Sequence, residues 1–214
     1  MKHSDLQFID KIGVECEGGW DEPPYDLVGD GSVYVDEAEC DGEVASPPLY
    51  IEDLCKWIET NIPDKVNKSC GTHVHISTRK VKDYMRLMEK EFFDYFINSM
   101  TAWGNEMKLP SGHLFWNRLE GGNQYCHKKF DPEGQVNQKG KAGNRYTQLN
   151  FCYGLHGTLE CRLFPGFDDA QLCINAVKAF VNCVESFLRD TPDKLNLEEE
   201  IELAIPEEPM SVGV

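Results

Sequence analysis

The feature that most constrains this chain is a recurrence of charged or imidazole side chains at i and i+2 inside otherwise apolar segments. The pairs are Glu15/Glu17, Asp41/Glu43, His73/His75 and Glu160/Arg162. Successive side chains of a strand point to opposite faces, so each pair occupies one face and the residue between them the other. Those intervening residues are Cys16, Gly42, Val74 and Cys161, three of which can meet a core. One such strand is the ordinary solvent face of an amphipathic antiparallel sheet. Four together are harder to read that way, because the set holds only carboxylates, imidazoles and a guanidinium. Carboxylates gathered on one face repel unless cations offset them. The pattern therefore predicts a sheet with one apolar face and one face suited to a divalent metal. Carboxylate with imidazole suits Mg²⁺ or Mn²⁺; zinc, with Cys70 added to His73 and His75, is the softer alternative.

The local patterns around these pairs sketch the elements. Alternation predicts strands over Phe8–Glu17, Ser32–Asp36, Glu39–Ser46, Gly71–Thr78, Tyr146–Tyr153 and Gly157–Phe164, the last two forming a hairpin around Gly154-Leu155-His156. Gly18-Gly19-Trp20 is expected to end the first strand, and Pro47-Pro48 the third. Helical spacing of apolar residues predicts helices over Leu49–Ile62, Val81–Asn105 and Asp168–Leu188, with Asp168 as the last helix's N-cap. Strands come in groups, not in strict alternation with helices, which predicts an α+β fold with a largely antiparallel sheet. Residues 110–143 are polar and lack clear periodicity, as expected of a functional lid or flexible loop.

Composition bounds the rest. The chain has 214 residues and a formal charge of −16, with 41% hydrophobic residues, enough for a real core. The predicted organisation is one domain over residues 1–192 and an acidic, flexible tail over 193–214. The charge is uneven: −13 over residues 1–60, +3 over 61–192 and −6 over 193–214. Overall acidity argues against partnership with nucleic acid or an anionic membrane, both polyanions. No apolar run reaches the length of a transmembrane helix, and the N-terminus lacks a signal peptide's apolar stretch. Nine cysteines, none spaced Cys-x-x-Cys, argue against a disulfide framework or zinc ribbon and point to a cytoplasmic compartment.

Several common chemistries have no signature here. The chain contains no P-loop, no dinucleotide-binding glycine pattern, no nucleophile elbow and no helical zinc motif. If phosphate is bound, metals and basic side chains must hold it. Arg145 and Arg162 are the candidates; a salt bridge from Arg162 to Glu160 is the plainer alternative. Arg118, Lys128, Lys129, Lys139 and Lys141 lie in the polar segment and suit either an anionic ligand or solvent.

These residues form an ordered series of motifs. They are Gly13-Val14-Glu15-x-Glu17, Asp30-Gly31-Ser32, Gly42-Glu43-Val44-x-Ser46-Pro47-Pro48-Leu49, Cys70-Gly71-Thr72-His73-Val74-His75-Ile76, Arg145-Tyr146-x-x-Leu149-Asn150 and Thr158-Leu159-Glu160-x-Arg162-Leu163-Phe164. The series resembles the amidoligase family of the glutamine synthetase and glutamate–cysteine ligase superfamily, whose members are often encoded by phages and in bacterial operons. The resemblance spans about residues 13–168. It implies a curved antiparallel sheet, with helices on the convex face, that binds ATP and two or three Mg²⁺ ions on the concave face. By motif position it implies Glu15, Glu17, Glu43, His73 and Glu160 as metal ligands, and His75, Ser77, Arg145 and Arg162 as nucleotide-binding residues. Arg162, Arg145 and Glu43 become the catalytic candidates, and Asp30, Ser46, Asn150 and Arg118 the substrate contacts. The chain is far shorter than a full glutamine synthetase, and Cys16 and Cys161 stand where larger apolar residues are expected.

The reaction so implied joins a carboxylate to an amine, each a small molecule or part of a peptide, through an acyl phosphate. Two other readings fit the same side chains: a metal-dependent hydrolase, and a non-catalytic module that binds a nucleotide or peptide. The sequence leaves a homo-oligomer open.

Overall fold

A computed structural model of the chain describes residues 1–36, 38–138 and 143–191. It is an α+β fold built on one open five-stranded sheet, every neighbouring pair antiparallel. The strands are β1 (Ile9–Trp20), β2 (Cys40–Ala45), β3 (Gly71–Thr78), β4 (Leu149–Cys152) and β5 (Thr158–Pro165), in the order β2-β1-β3-β5-β4. The helices are α1 (Ile51–Asn61), α2 (Val81–Leu87), α3 (Lys90–Glu106), α4 (Leu114–Leu119), α5 (Pro132–Gln135), α6 (Tyr153–His156) and α7 (Ala170–Asp190).

Alternation in the strands decides the layers. Ile12, Val14 and Cys16 of β1, Val74 and Ile76 of β3, and Leu159 and Cys161 of β5 are buried in one continuous core. The stripe of α7 meets them through Cys173, Val177, Phe180 and Val184. Outside α7, α3 packs ring on ring, with Phe92 5.1 Å from Phe187 and Phe96 5.9 Å from Phe180. A buried aliphatic or aromatic side chain contributes about 1.5–3 kcal/mol, so this face accounts for much of the drive to fold. Helices α3 and α7 leave the opposite face of the sheet to the i, i+2 pairs.

Several expectations change. β1 runs through Gly18 and Gly19 to Trp20 instead of stopping. The glycines serve close approach: a Cβ on Gly19 would lie 2.5 Å from Ala38 Cβ and 3.0 Å from Val35 Cγ1. The segment 32–36 is not a strand. Val33 and Val35 alternate inward but pack on Cys70, Ala38 and Val66, and side chains satisfy the backbone: Val35 N donates to Asp41 Oδ2 (2.9 Å) and Tyr34 N to Ser69 Oγ (3.2 Å). Periodicity alone cannot tell this cap from a strand.

The single helix expected over Val81–Asn105 is broken at Met88 and Glu89 into α2 and α3. Arg86 is buried and its Nη2 donates to Leu188 O (2.8 Å) and Thr191 O (2.5 Å), at the C-terminus of α7. A cation there satisfies the last carbonyls of the helix, and α2 is turned to deliver it. The N-cap of α7 is Asp169, not Asp168: its Oδ1 accepts from Leu172 N (2.9 Å). The hairpin between β4 and β5 is joined by the single turn α6.

The polar segment after α3 is largely structured. Phe115 and Leu119 of α4 enter the core, Phe115 stacking on Phe164 (6.4 Å, 19°). Gln135 of α5 is buried; its Nε2 donates to Thr147 Oγ1 (3.0 Å) and its Oε1 accepts from Phe151 N (3.1 Å). Helices α4 and α5 therefore form a packed wall beside β5 and β4. Lys139, Lys141 and the acidic tail fall outside the described residues. Among the described residues no helix is long and apolar enough to cross a membrane, and none of the nine cysteines is disulfide-bonded.

Candidate functional site

Strand register brings the polar pairs together. Glu15 of β1 stands opposite His73 of β3, and Glu17 opposite Glu43 of β2. His75 stands opposite Glu160 of β5, which in turn faces Asn150 of β4. Between the pairs Val74/Cys161 and Thr72/Phe164, β5 carries one residue more than β3. This bulge sets Arg162 beside His73, Nη1 3.5 Å from Nδ1. A cleft of about 260 Å³ covers the row, lined by five carboxylates (Glu15, Glu17, Asp30, Glu43, Glu160), three histidines (His73, His75, His156) and three arginines (Arg118, Arg145, Arg162).

The carboxylates and imidazoles are within ligand reach of one another. One ligand atom from each of Glu15, Glu43 and His73 lies within 4.8 Å of the others; the same holds for Glu15, His75 and Glu160, and for Glu17, Asp30 and Glu43. His73 Nδ1 lies 3.0 Å from Glu15 Oε2 and 3.7 Å from Glu160 Oε1, and its Nε2 3.7 Å from Glu17 Oε1. His75 Nε2 lies 3.2 Å from Glu15 Oε1, and its Nδ1 3.1 Å from Thr158 Oγ1. Glu160, itself buried, accepts from Arg162 Nη1 (2.5 Å) and Asn150 Nδ2 (2.6 Å). Arg162 thus pairs with Glu160, the plainer of its two readings, and also lines the cleft.

The electrostatics leave positive charge missing at one end. Burial pushes the Glu43 carboxyl up, and the charges of Glu15, Glu17 and Asp30 add to this, raising it to about 7 despite His73. Burial also disfavours charge on Glu15, but the hydrogen bonds and charges of His75 and His73 hold it well below the usual carboxylate range. Glu160 is likewise held low against burial, chiefly by Arg162. Burial lowers His75, while Cys152, Glu15 and Glu160 together hold it well above the usual imidazole range. A divalent cation fits this set: hard oxygen donors, imidazoles, and a carboxyl at Glu43 that burial and its neighbours' negative charge raise to about 7.

Two supports hold the row in place. Gly71 opens β3 and donates from N to Glu17 Oε2 (2.5 Å). A Cβ there would sit 2.8 Å from His73 Nε2 and 3.1 Å from Glu17 Oε2, so any other residue would have to displace these side chains. Arg118 reaches in from α4, buried, with Nη1 donating to Arg162 O and Nη2 to Cys70 O, both 3.0 Å. It brackets the ends of β3 and β5, and two of its donors are spent on backbone.

The remaining candidates divide between two clefts. Asp30 lines the first, its Oδ1 accepting from Ser32 N and Ser32 Oγ (both 2.7 Å). Arg145 and Asn150 line it too. Ser46 and Ser77 do not. They line a second, largely apolar cleft of about 330 Å³ that shares Glu15, His75 and His156 with the first. There Ser46 Oγ accepts from Val14 N (2.9 Å) and Ser77 Oγ from Lys11 N (3.1 Å). Asp41 is spent on the loop, and Lys128 and Lys129 are exposed away from the lining.

Several lining residues carried no signal in the sequence: Tyr125, Gln135 and Gln138 from the polar segment, and His156 from α6, whose ring lies 6.1 Å from His75. They sit in turns and short helices, where no period marks a face. Tyr146 stood inside a quoted motif, but without a role. No family model, no curated protein and no solved structure matches this chain.

Proposed function

We propose that this chain is an ATP-dependent carboxylate–amine ligase with a glutamine synthetase-like catalytic sheet. The observation that carries the reading is the overlap of three carboxylate–imidazole ligand groups in one cleft that also holds Arg145 and Arg162. Glu15, Glu17, Glu43, His73 and Glu160 would hold two or three Mg²⁺ ions, or Mn²⁺. Bound there, the ions offset phosphate charge during phosphoryl transfer.

The chain's own side chains take the other roles. Arg162 and Arg145 neutralise charge that develops on the transferring phosphoryl group. His75 faces the phosphates, and Ser77 in the adjoining apolar cleft faces the nucleoside. Asp30, Asn150, Ser46 and Arg118 border the substrates. A substrate carboxylate oxygen attacks the γ-phosphorus, the bond to ADP breaks, and an acyl phosphate forms. The amine nitrogen then attacks the acyl carbon, inorganic phosphate leaves, and one proton is lost from nitrogen. Glu43 would take that proton only where no metal ion holds its carboxylate.

The test is incubation with Mg²⁺, ATP and pools of acids and amines. The expected result is ADP together with a product lighter by one water than its parts. Turnover that proceeds without ATP would instead assign the cleft to a metal-dependent hydrolase. A second measurement is thermal stabilisation by Mg-ATP that is reduced by chelator; no shift at saturating nucleotide counts against the ligase.

A further inference from the structure

The guanidinium end of the cleft is organised by a single ring. Arg145 Cζ lies 4.9 Å and Arg162 Cζ 5.7 Å from the centroid of Tyr146. Arg145 Nη2 also donates to Tyr146 Oη over 3.1 Å. The Tyr146 ring is itself braced edge-on by Tyr125, at 5.7 Å and 70°. Two cations brought to one cleft repel, while an aromatic face attracts each of them within about 6 Å.

Arg162 adds a second, independent observation. The residue is 8% exposed, its Nη1 is taken by Glu160, and its Nε is buried without a hydrogen-bond partner among the described residues. A buried guanidinium donor lacking an acceptor is costly, and an incoming anion removes that cost.

We infer that Tyr146 is a positioning residue whose ring holds Arg145 and Arg162 as a preformed, metal-independent seat for a ligand with two separated anionic groups, as in a polyphosphate chain. One anionic group meets each guanidinium. The inference rests on the ligase reading only in taking both arginines as phosphate-facing, and binding can be measured without turnover.

The experiment is calorimetric titration of the full chain with tripolyphosphate and with orthophosphate, in excess chelator. Wild type is expected to bind tripolyphosphate at least about tenfold more tightly than orthophosphate. Tyr146→Leu is expected to weaken tripolyphosphate binding about three- to thirtyfold, the range of a desolvated cation–π contact. Tyr146→Phe, which keeps the ring, restores most of the loss. Equal binding by Tyr146→Leu and wild type overturns the inference, as does absence of metal-free binding or a Tyr146→Phe defect as large as that of Tyr146→Leu. If Tyr146→Leu melts early, Tyr146→Trp replaces it: retained binding supports the platform and lost binding overturns it. Tripolyphosphate binding without any ATP-dependent condensation would remove the ligase reading alone.

Discussion

The two oxygens of Glu15 reach two histidines of the neighbouring strand: Oε2 lies 3.0 Å from His73 Nδ1 and Oε1 3.2 Å from His75 Nε2. This one carboxylate belongs to two of the three ligand groups. It links the metal-suited end of the cleft to the arginine-bearing strand, so its loss should be felt at both.

Glu15→Ala is expected to weaken Mn²⁺ binding by at least about a hundredfold, since it removes a ligand as well as the partner that orients both imidazoles. Electron paramagnetic resonance titration measures this. Full retention of Mn²⁺ affinity by the Glu15→Ala, Glu160→Ala double variant would falsify the metal site.

Glu43 sets a pH dependence. Its carboxyl is raised from 4.5 to about 7 in the folded chain. Between those values the folded state holds a proton that the unfolded state has released. Its stabilising contribution is thus full below about 4.5 and lost as pH rises through about 7. A metal must displace that proton, so Mn²⁺ affinity should rise by up to about tenfold per pH unit toward 7 and then level. Glu43→Gln should flatten that rise; an unchanged slope in the variant excludes Glu43 as its source.

Arg118→Met should cost about 1–3 kcal/mol, because it removes a buried donor from the Arg162 carbonyl and from the Cys70 carbonyl, which keeps only Gly166 N. Lys cannot reach both with a planar fork, so Arg118→Lys should recover only part. Urea unfolding reads both. A loss under about 0.5 kcal/mol for Arg118→Met contradicts the bracket.

Gly71→Ala and Gly13→Ala should diverge. A Cβ at Gly71 collides with His73 Nε2 at 2.8 Å, whereas at Gly13 the nearest atoms are 3.8 Å away. Gly71→Ala is expected to lose at least about tenfold in metal affinity, the lower end of the effect of disturbing a ligand's supports. Gly13→Ala should stay near wild type. Equal affinities for the two variants would show that Gly71 is not needed for room.

Glu185 of α7 ties down the N-terminal segment by accepting from Gln7 N (2.9 Å), Phe8 N (3.0 Å) and Ile9 N (2.8 Å). Glu185→Ala should destabilise by about 3 kcal/mol and speed amide exchange at these three positions more than in β3. Uniform exchange across both segments would refute a local anchor.

The legible part of the fold was the part with a period. The alternation of β3 marks Gly71–Thr78 to the residue, and the stripe of α7 falls within two residues of its bounds. The break between α2 and α3 was hidden, because apolar spacing continues across Met88 while the cause lies at Leu188 and Thr191. The cap formed by Val33 and Val35 read as a strand, because alternation reports which side chains turn inward and not what the backbone pairs with.

By itself, then, the sequence determined which side chains share a face: period two put Glu15, Glu17, His73, His75, Glu160 and Arg162 on the side of the sheet away from the core. Only the tertiary structure decided which of them meet. Register set Glu15 against His73 and His75 against Glu160, a bulge in β5 placed Arg162 beside His73, and Arg118 became a bracket and Tyr146 the neighbour of two guanidiniums. Side-chain direction follows from local backbone geometry, whereas register and bulges are set by packing between segments far apart in the chain.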